Sequence, residues 1–185
     1  MQTKMLASVV GATLFTATAS AAPSFEFGEY EGSWFNETFM STGAATMTIE
    51  DLGSGGIRFT IDLDGGVFGQ GDPDPISIDG TVDASGLVVI PEGAPDPVFG
   101  TGSGTISAAG DVDGLLANAA GGVFSQVVLT GTAIGGEFRT RYTIFDAAGA
   151  SAPFATGTLN MDLVPAPASG LLMLGGVSAI ARRRR

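Results

Sequence analysis

The chain has no cysteine, no histidine and only eight basic residues in 185. Without cysteine there is no disulfide framework, no thiolate metal site and no redox pair. Without histidine there is no Ser-His-Asp triad and no imidazole zinc site. The single lysine, Lys4, stands near the N-terminus, and four of the seven arginines, Arg182, Arg183, Arg184 and Arg185, close the chain. Between them lie Arg58, Arg139 and Arg141 against nineteen acidic residues from Glu26 to Asp162. So acidic a surface excludes nucleic acid as a partner, because phosphate binding needs a basic face. The body of the chain also lacks a Schiff-base lysine and a phosphate loop, so its 29 glycines read as turn and sheet glycines.

The ends carry an address. MQTKMLASVVGATLFTATASAA has a charged start, an apolar stretch from Met5 to about Ala19, and small residues at Ala19 and Ala21. This layout predicts a signal peptide over 1–21, cut by signal peptidase between Ala21 and Ala22. The other end, LVPAPASGLLMLGGVSAIARRRR, sets prolines before an apolar run from about Ala168 to Ala181 and an arginine cluster after it. As a helix that run rises ~21 Å, short of the ~30 Å hydrocarbon core, so it reads as a transient or marginal membrane segment. The arginines hold its end on the cytoplasmic side.

A Val-Pro-x-Pro motif, a short apolar helix and a terminal arginine cluster together resemble the PEP-CTERM sorting tail. The likeness covers 164–185, with Val164, Pro165 and Pro167 on the motif, Ala166 in place of the family's glutamate, and Arg182–Arg185 as the stop-transfer cluster. The resemblance implies recognition by an exosortase at the inner membrane of a Gram-negative bacterium, processing near the prolines, and an association with exopolysaccharide or biofilm matrix.

From 22 to 163 the pattern is that of strands. Ile57, Phe59, Ile61 and Leu63 alternate with Arg58, Thr60, Asp62 and Asp64, and the same period of two recurs in ISIDGTVD and ATGTLNMDL. Such alternation places one face in a core and the other in water. Further strands are expected near Ser33–Met40, Ala44–Asp51, Gly86–Pro91, Gly104–Ala108, Val123–Ile134 and Phe138–Asp146, with Gly135-Gly136 as a hairpin turn. GGVFGQGDPDPIS and PEGAPDPVFGTGSG read as long loops. The expected fold is all-β: an antiparallel up-and-down meander of about eight to ten strands, as a calycin-like barrel in preference to a β-sandwich, with a hydrophobic helix at each terminus. Gly32-Ser33-Trp34 resembles the Gly-x-Trp of lipocalin-like first strands, and Trp34 is expected to plug the core.

Oxygen-ligand chemistry survives the exclusions. Asp62 and Asp64, Asp72 and Asp74, and Asp111 and Asp113 place carboxylates two residues apart near glycine or proline, as weak calcium sites do, although none completes an EF-hand loop. No other cofactor is expected. Glu29, Glu31 and Glu37 near Trp34 are the candidates for a paired-carboxylate glycosidase. Asn36-Glu37-Thr38 fits a glycosylation sequon. The chain is accordingly read as an exported, non-catalytic surface or extracellular-matrix protein. The alternatives are a secreted barrel that binds a small apolar ligand or a glycan, and a carboxylate-dependent glycan-active enzyme.

Overall fold

The period-two segments become strands because each offers one apolar row for burial and one polar row for water. In the computed structural model, which describes residues 21–66, 71–96, 100–117, 126–146 and 152–165, ten strands follow one another. They are β1 (Gly28–Asn36), β2 (Ser41–Gly53), β3 (Gly56–Leu63), β4 (Ile76–Val82), β5 (Val88–Asp96), β6 (Gly100–Ile106), β7 (Asp111–Ala117), β8 (Gln126–Ile134), β9 (Glu137–Phe145) and β10 (Ala155–Leu163). Each pairs antiparallel with its neighbours in sequence, and β1 pairs with β10, so the meander closes into a barrel and not a sandwich. Closure leaves no exposed sheet edge, which suits a domain without disulfides. The expected terminal helices lie outside the described residues.

Three local expectations need correction. β1 runs Gly28–Asn36 and not Ser33–Met40, because the Asn36 side chain ends it: its Oδ1 accepts the N–H groups of Thr38 and Phe39 and turns the chain. The supposed loop PEGAPDPVFGTGSG holds the second half of β5 and most of β6. Proline is tolerated there because β5 has no β4 partner beyond Val89, so a missing N–H breaks no bond on that side. β7, which carries Asp111 and Asp113 on its outer face, was unforeseen; its inward row is Val112, Gly114 and Leu116.

The two ends of the barrel differ. At one end the connections are short: Ser54-Gly55, Asp83–Leu87, Ser107–Gly110 and Gly135-Gly136. The segment from Ala21 to Phe27 straps across this end. Ala21 N–H donates to Ala84 O at 3.0 Å, Glu26 N–H to Gly135 O at 3.1 Å, and Gly135 N–H to Ser24 O at 2.7 Å. The strap seats Phe25 below the lumen, its ring centroid 5.9 Å from that of Phe59 and 5.7 Å from that of Phe138. Tyr30 meets Phe138 edge-on at 5.2 Å and donates its hydroxyl to Glu26 O at 2.7 Å. β10 also ends here, where Val164 N–H donates to Glu29 O. Both ends of the domain thus leave by the closed end, and β3, β7 and β9 finish at the other.

Candidate functional site

Eight strands can be filled by their own side chains, and a barrel widens as strands are added, so ten strands leave spare volume. Glycine adds to it. Gly102 and Gly104 on β6 and Gly114 on β7 occupy inward positions and supply no side chain. The result is an apolar cavity of about 130 Å³ in the lumen. Its wall draws on every strand from β2 to β10, with Met47, Phe59, Ile90, Val112, Leu129 and Met161 among its side chains. It lies between two buried clusters, a large one around Tyr30, Met47, Phe59 and Phe138 and a smaller one around Val127, Tyr142, Ile144 and Ala155.

One polar side chain borders this space. Thr140 Oγ1 donates to Leu159 O at 3.1 Å, which commits its hydrogen and leaves the oxygen able to accept. Asp113 is the charged residue among those that line the space, and it stands on the outer row of β7, so among the described residues the wall is apolar and suits an uncharged molecule.

Two aromatic residues roof the lumen on its β1 side, each lying over a glycine. Trp34, 3 % exposed, packs on Gly43 and donates its indole N–H to Asp64 O at 2.9 Å. Tyr142 packs on Gly157 and donates to Phe35 O at 3.2 Å. A Cβ at either glycine would overlap the aromatic ring and a backbone oxygen. Burial pushes the Tyr142 hydroxyl up to about 12; the nearby Glu37 carboxylate adds to the rise and the Asn36 amide opposes it. The Asn36 Nδ2, although close enough to exert that influence, makes no hydrogen bond among the described residues. Glu37 is held by both guanidinium nitrogens of Arg141, at 3.0 and 2.5 Å, and by the Thr156 hydroxyl at 3.0 Å.

The residues singled out from the sequence are dispersed. Glu29 and Glu31 point outward from β1 while Trp34 points inward, so the three glutamates do not gather around its ring. Asn36 is wholly buried, which closes the sequon to any glycosylating enzyme in the folded state. Asp62 lies on the outer face of β3, and Asp72 accepts the Gly65 N–H at 2.9 Å, clasping the 64–75 connection where Asp64 and Asp74 are exposed. Asp111 accepts the Ser107 hydroxyl at the closed end, and Asp113 faces out from β7. Among the described residues no three potential metal ligands are grouped. Ala21 and Ala22 are exposed on the strap, and Val164 and Pro165 follow β10 directly. Ala166, Pro167 and Arg182–Arg185 lie outside the described residues.

A ligand-binding barrel was among the readings of the sequence, but the residues of the thin wall were not picked out because that wall looks like a loop. GTGSGTI alternates Gly100, Gly102 and Gly104 with Thr101, Ser103 and Thr105, a period of two in which the inward residue is glycine. Reading glycine as an inward residue would have disclosed both the strand and the space. No protein-family model, curated protein or solved structure matches the chain.

Proposed function

We propose that this is an exported, non-catalytic protein of the cell surface or extracellular matrix whose barrel binds a small apolar molecule in its lumen. The observation that carries the binding role is the apolar cavity. An empty apolar space of this size costs about 3 kcal/mol at the ~24 cal/mol per Å³ found for cavities in protein cores. A ligand that fills it recovers that loss. Dry cavities of about 150 Å³ accept benzene or xenon, which sets the size class. The ligand is a compact hydrocarbon or aromatic ring, with room for one hydroxyl that can donate to Thr140.

Export and sorting rest on the two ends of the sequence. The signal peptidase cut between Ala21 and Ala22 falls on the exposed strap, and the Val-Pro-x-Pro segment starts where β10 stops. Both therefore sit at the closed end. A membrane-held tail turns that end to the inner membrane during exosortase processing and leaves the opposite end of the barrel facing away, toward exopolysaccharide.

One preparation tests both parts. Protein recovered from the outer surface or medium of the native host has the mass of a chain from Ala22 to the Pro165–Pro167 region; a species in the inner membrane that keeps Arg182–Arg185 overturns the sorting role. Titrated with benzene in a calorimeter, the same protein shows saturable one-site binding, which Val112→Phe abolishes by placing a ring in the cavity. Absence of saturable binding overturns the ligand role.

A further inference from the structure

Among the described residues Trp34 and Tyr142 pack at the β1 side of the lumen, and Phe25 packs on Phe59 and Phe138 at the closed end. The barrel wall differs at one place. β4 pairs with β3 from Ile76 to Thr81, but among the described residues its ladder with β5 consists of Thr81 with Val89 and Val82 with Val88. β5 then slips against its other neighbour too, with a register shift between Ile90 and Ala94 on β6. Among the described residues Pro91–Gly93, although part of β5, has no partner in register on β4 or β6. It is exposed, it begins with a residue that has no N–H, and Gly93 adopts φ +90°, a conformation few other residues hold.

Behind this stretch lies the cavity. Ile90 lines it, and Ile78 of β4 lines it from across the gap. Ile90 also borders a groove of about 290 Å³ on the outer surface of β5–β7, with Val89, Thr105, Asp113 and Leu115. Because Gly102, Gly104 and Gly114 add nothing inward, the groove and the cavity are separated here by one layer of backbone and the Ile90 side chain. This groove, which flanks β5 on the side away from β4, is half apolar, with Val89 and Leu115 both exposed beyond a third of their area.

We infer that ligand passes sideways through the wall between β4 and β5, with Pro91–Gly93 as the segment that yields and Ile90 as the side chain that sets what passes. The inference rests on the lumen-binding role proposed above. The geometry favours flat or compact uncharged molecules, since a charged group would lose its hydration against Ile78 and Ile90.

The test uses the full chain and fluorobenzene, with association rates from fluorine exchange NMR and affinities from calorimetry. Ile90→Ala raises the association rate about tenfold or more, as expected when a conformational step limits binding, and Ile90→Val, the milder change that protects against loss of folding, raises it less. Val127→Ala truncates a buried side chain of β8 that does not line the cavity, and leaves the association rate within about twofold. Equal acceleration by Ile90→Ala and Val127→Ala, or none by either while wild type still binds, overturns the lateral route alone. Absence of fluorobenzene binding by wild type overturns the route together with the lumen role.

Discussion

The two sides of the barrel are built to different standards. The side formed by β8, β9, β10, β1 and β2 has long unbroken ladders, such as Gln126–Ile134 against Phe145–Glu137 and Gly28–Asn36 against Ile49–Ser41. Its inward row carries Tyr30, Trp34, Phe138 and Tyr142, and its glycines, Gly43 and Gly157, are seats for aromatic rings. The side formed by β4 to β7 has the short β4–β5 ladder and the bulge in β5, and its Gly80, Gly104 and Gly114 seat aliphatic side chains and no aromatic ring. Both sides are rich in glycine and both are closed sheet. One uses glycine to bring large groups together, and the other to leave space. Closure of the ring lets the well-packed side carry the stability while the thin side stays open to the cavity.

Glycine-to-alanine exchange should separate the two sides most sharply. At Gly157 a new Cβ overlaps Phe35 O and the Tyr142 phenol, so Gly157→Ala is expected to lose about 3 kcal/mol, the upper part of the range for overpacking. At Gly114 the new methyl meets only the Leu129 side chain, at 3.2 and 3.3 Å, beside free volume. Gly114→Ala should stay within about 1 kcal/mol of wild type, helped by the lower entropy of its unfolded chain. Urea unfolding of the pair checks this, and equal losses would mean that the thin side is packed as tightly as the other.

The packed side should also be the alkali-sensitive one. Tyr142 is held protonated up to about 12 in the fold, against an ordinary value of 10.0. The unfolded chain therefore gives up this proton first, and stability present below pH 10 drains away between pH 10 and pH 12. The loss approaches about 2–3 kcal/mol at about 1.4 kcal/mol per unit. Tyr142→Phe forfeits the bond to Phe35 O at neutral pH but should flatten that slope, leaving what Tyr30, also raised by burial, contributes. Urea midpoints from pH 8 to 12 decide it, and an unchanged slope in Tyr142→Phe would put the sensitivity elsewhere.

The smallest effect is expected on the outer face of the thin side. Arg58 of β3 grips Asp79 of β4 with two hydrogen bonds of 2.7 and 2.9 Å, but both side chains are exposed. Exposed pairs of this kind add little and are screened by salt. Arg58→Ala should shift the unfolding midpoint less than either glycine variant at 0.5 M salt. A large shift would show that β4, short of a full β5 partner, depends on this pair.

Much of this arrangement can be read from residue order. Ile57, Phe59, Ile61 and Leu63 announce β3, and Leu159, Met161 and Leu163 announce β10, because large apolar residues at period two have few other ways to be buried. Trp34 announces itself as core by its size. β7 and most of β6 were hidden because Gly102 and Gly104 on β6 and Gly114 on β7 interrupt the inward rows, and a residue without a side chain leaves no hydrophobic signal. β1 was misplaced for the opposite reason. Phe39 and Met40 look like the end of an apolar strand, yet they stand 54 % and 75 % exposed in a turn made by Asn36, and a hydrogen-bond acceptor two residues upstream is invisible to hydropathy.

Residue order by itself determined which side-chain chemistries are available to this protein and which of its segments with large apolar rows form strands. The absence of histidine and cysteine removes most catalytic and metal chemistry whatever the fold, and period-two rows dictate strands because the pleat alternates faces. Tertiary structure alone decided that the strands close as a ring of ten, that the ring encloses a space, and that the space lies against one weak seam. Those outcomes depend on which strands meet and on how facing side chains fill a shared volume, and neither is a property of any single segment.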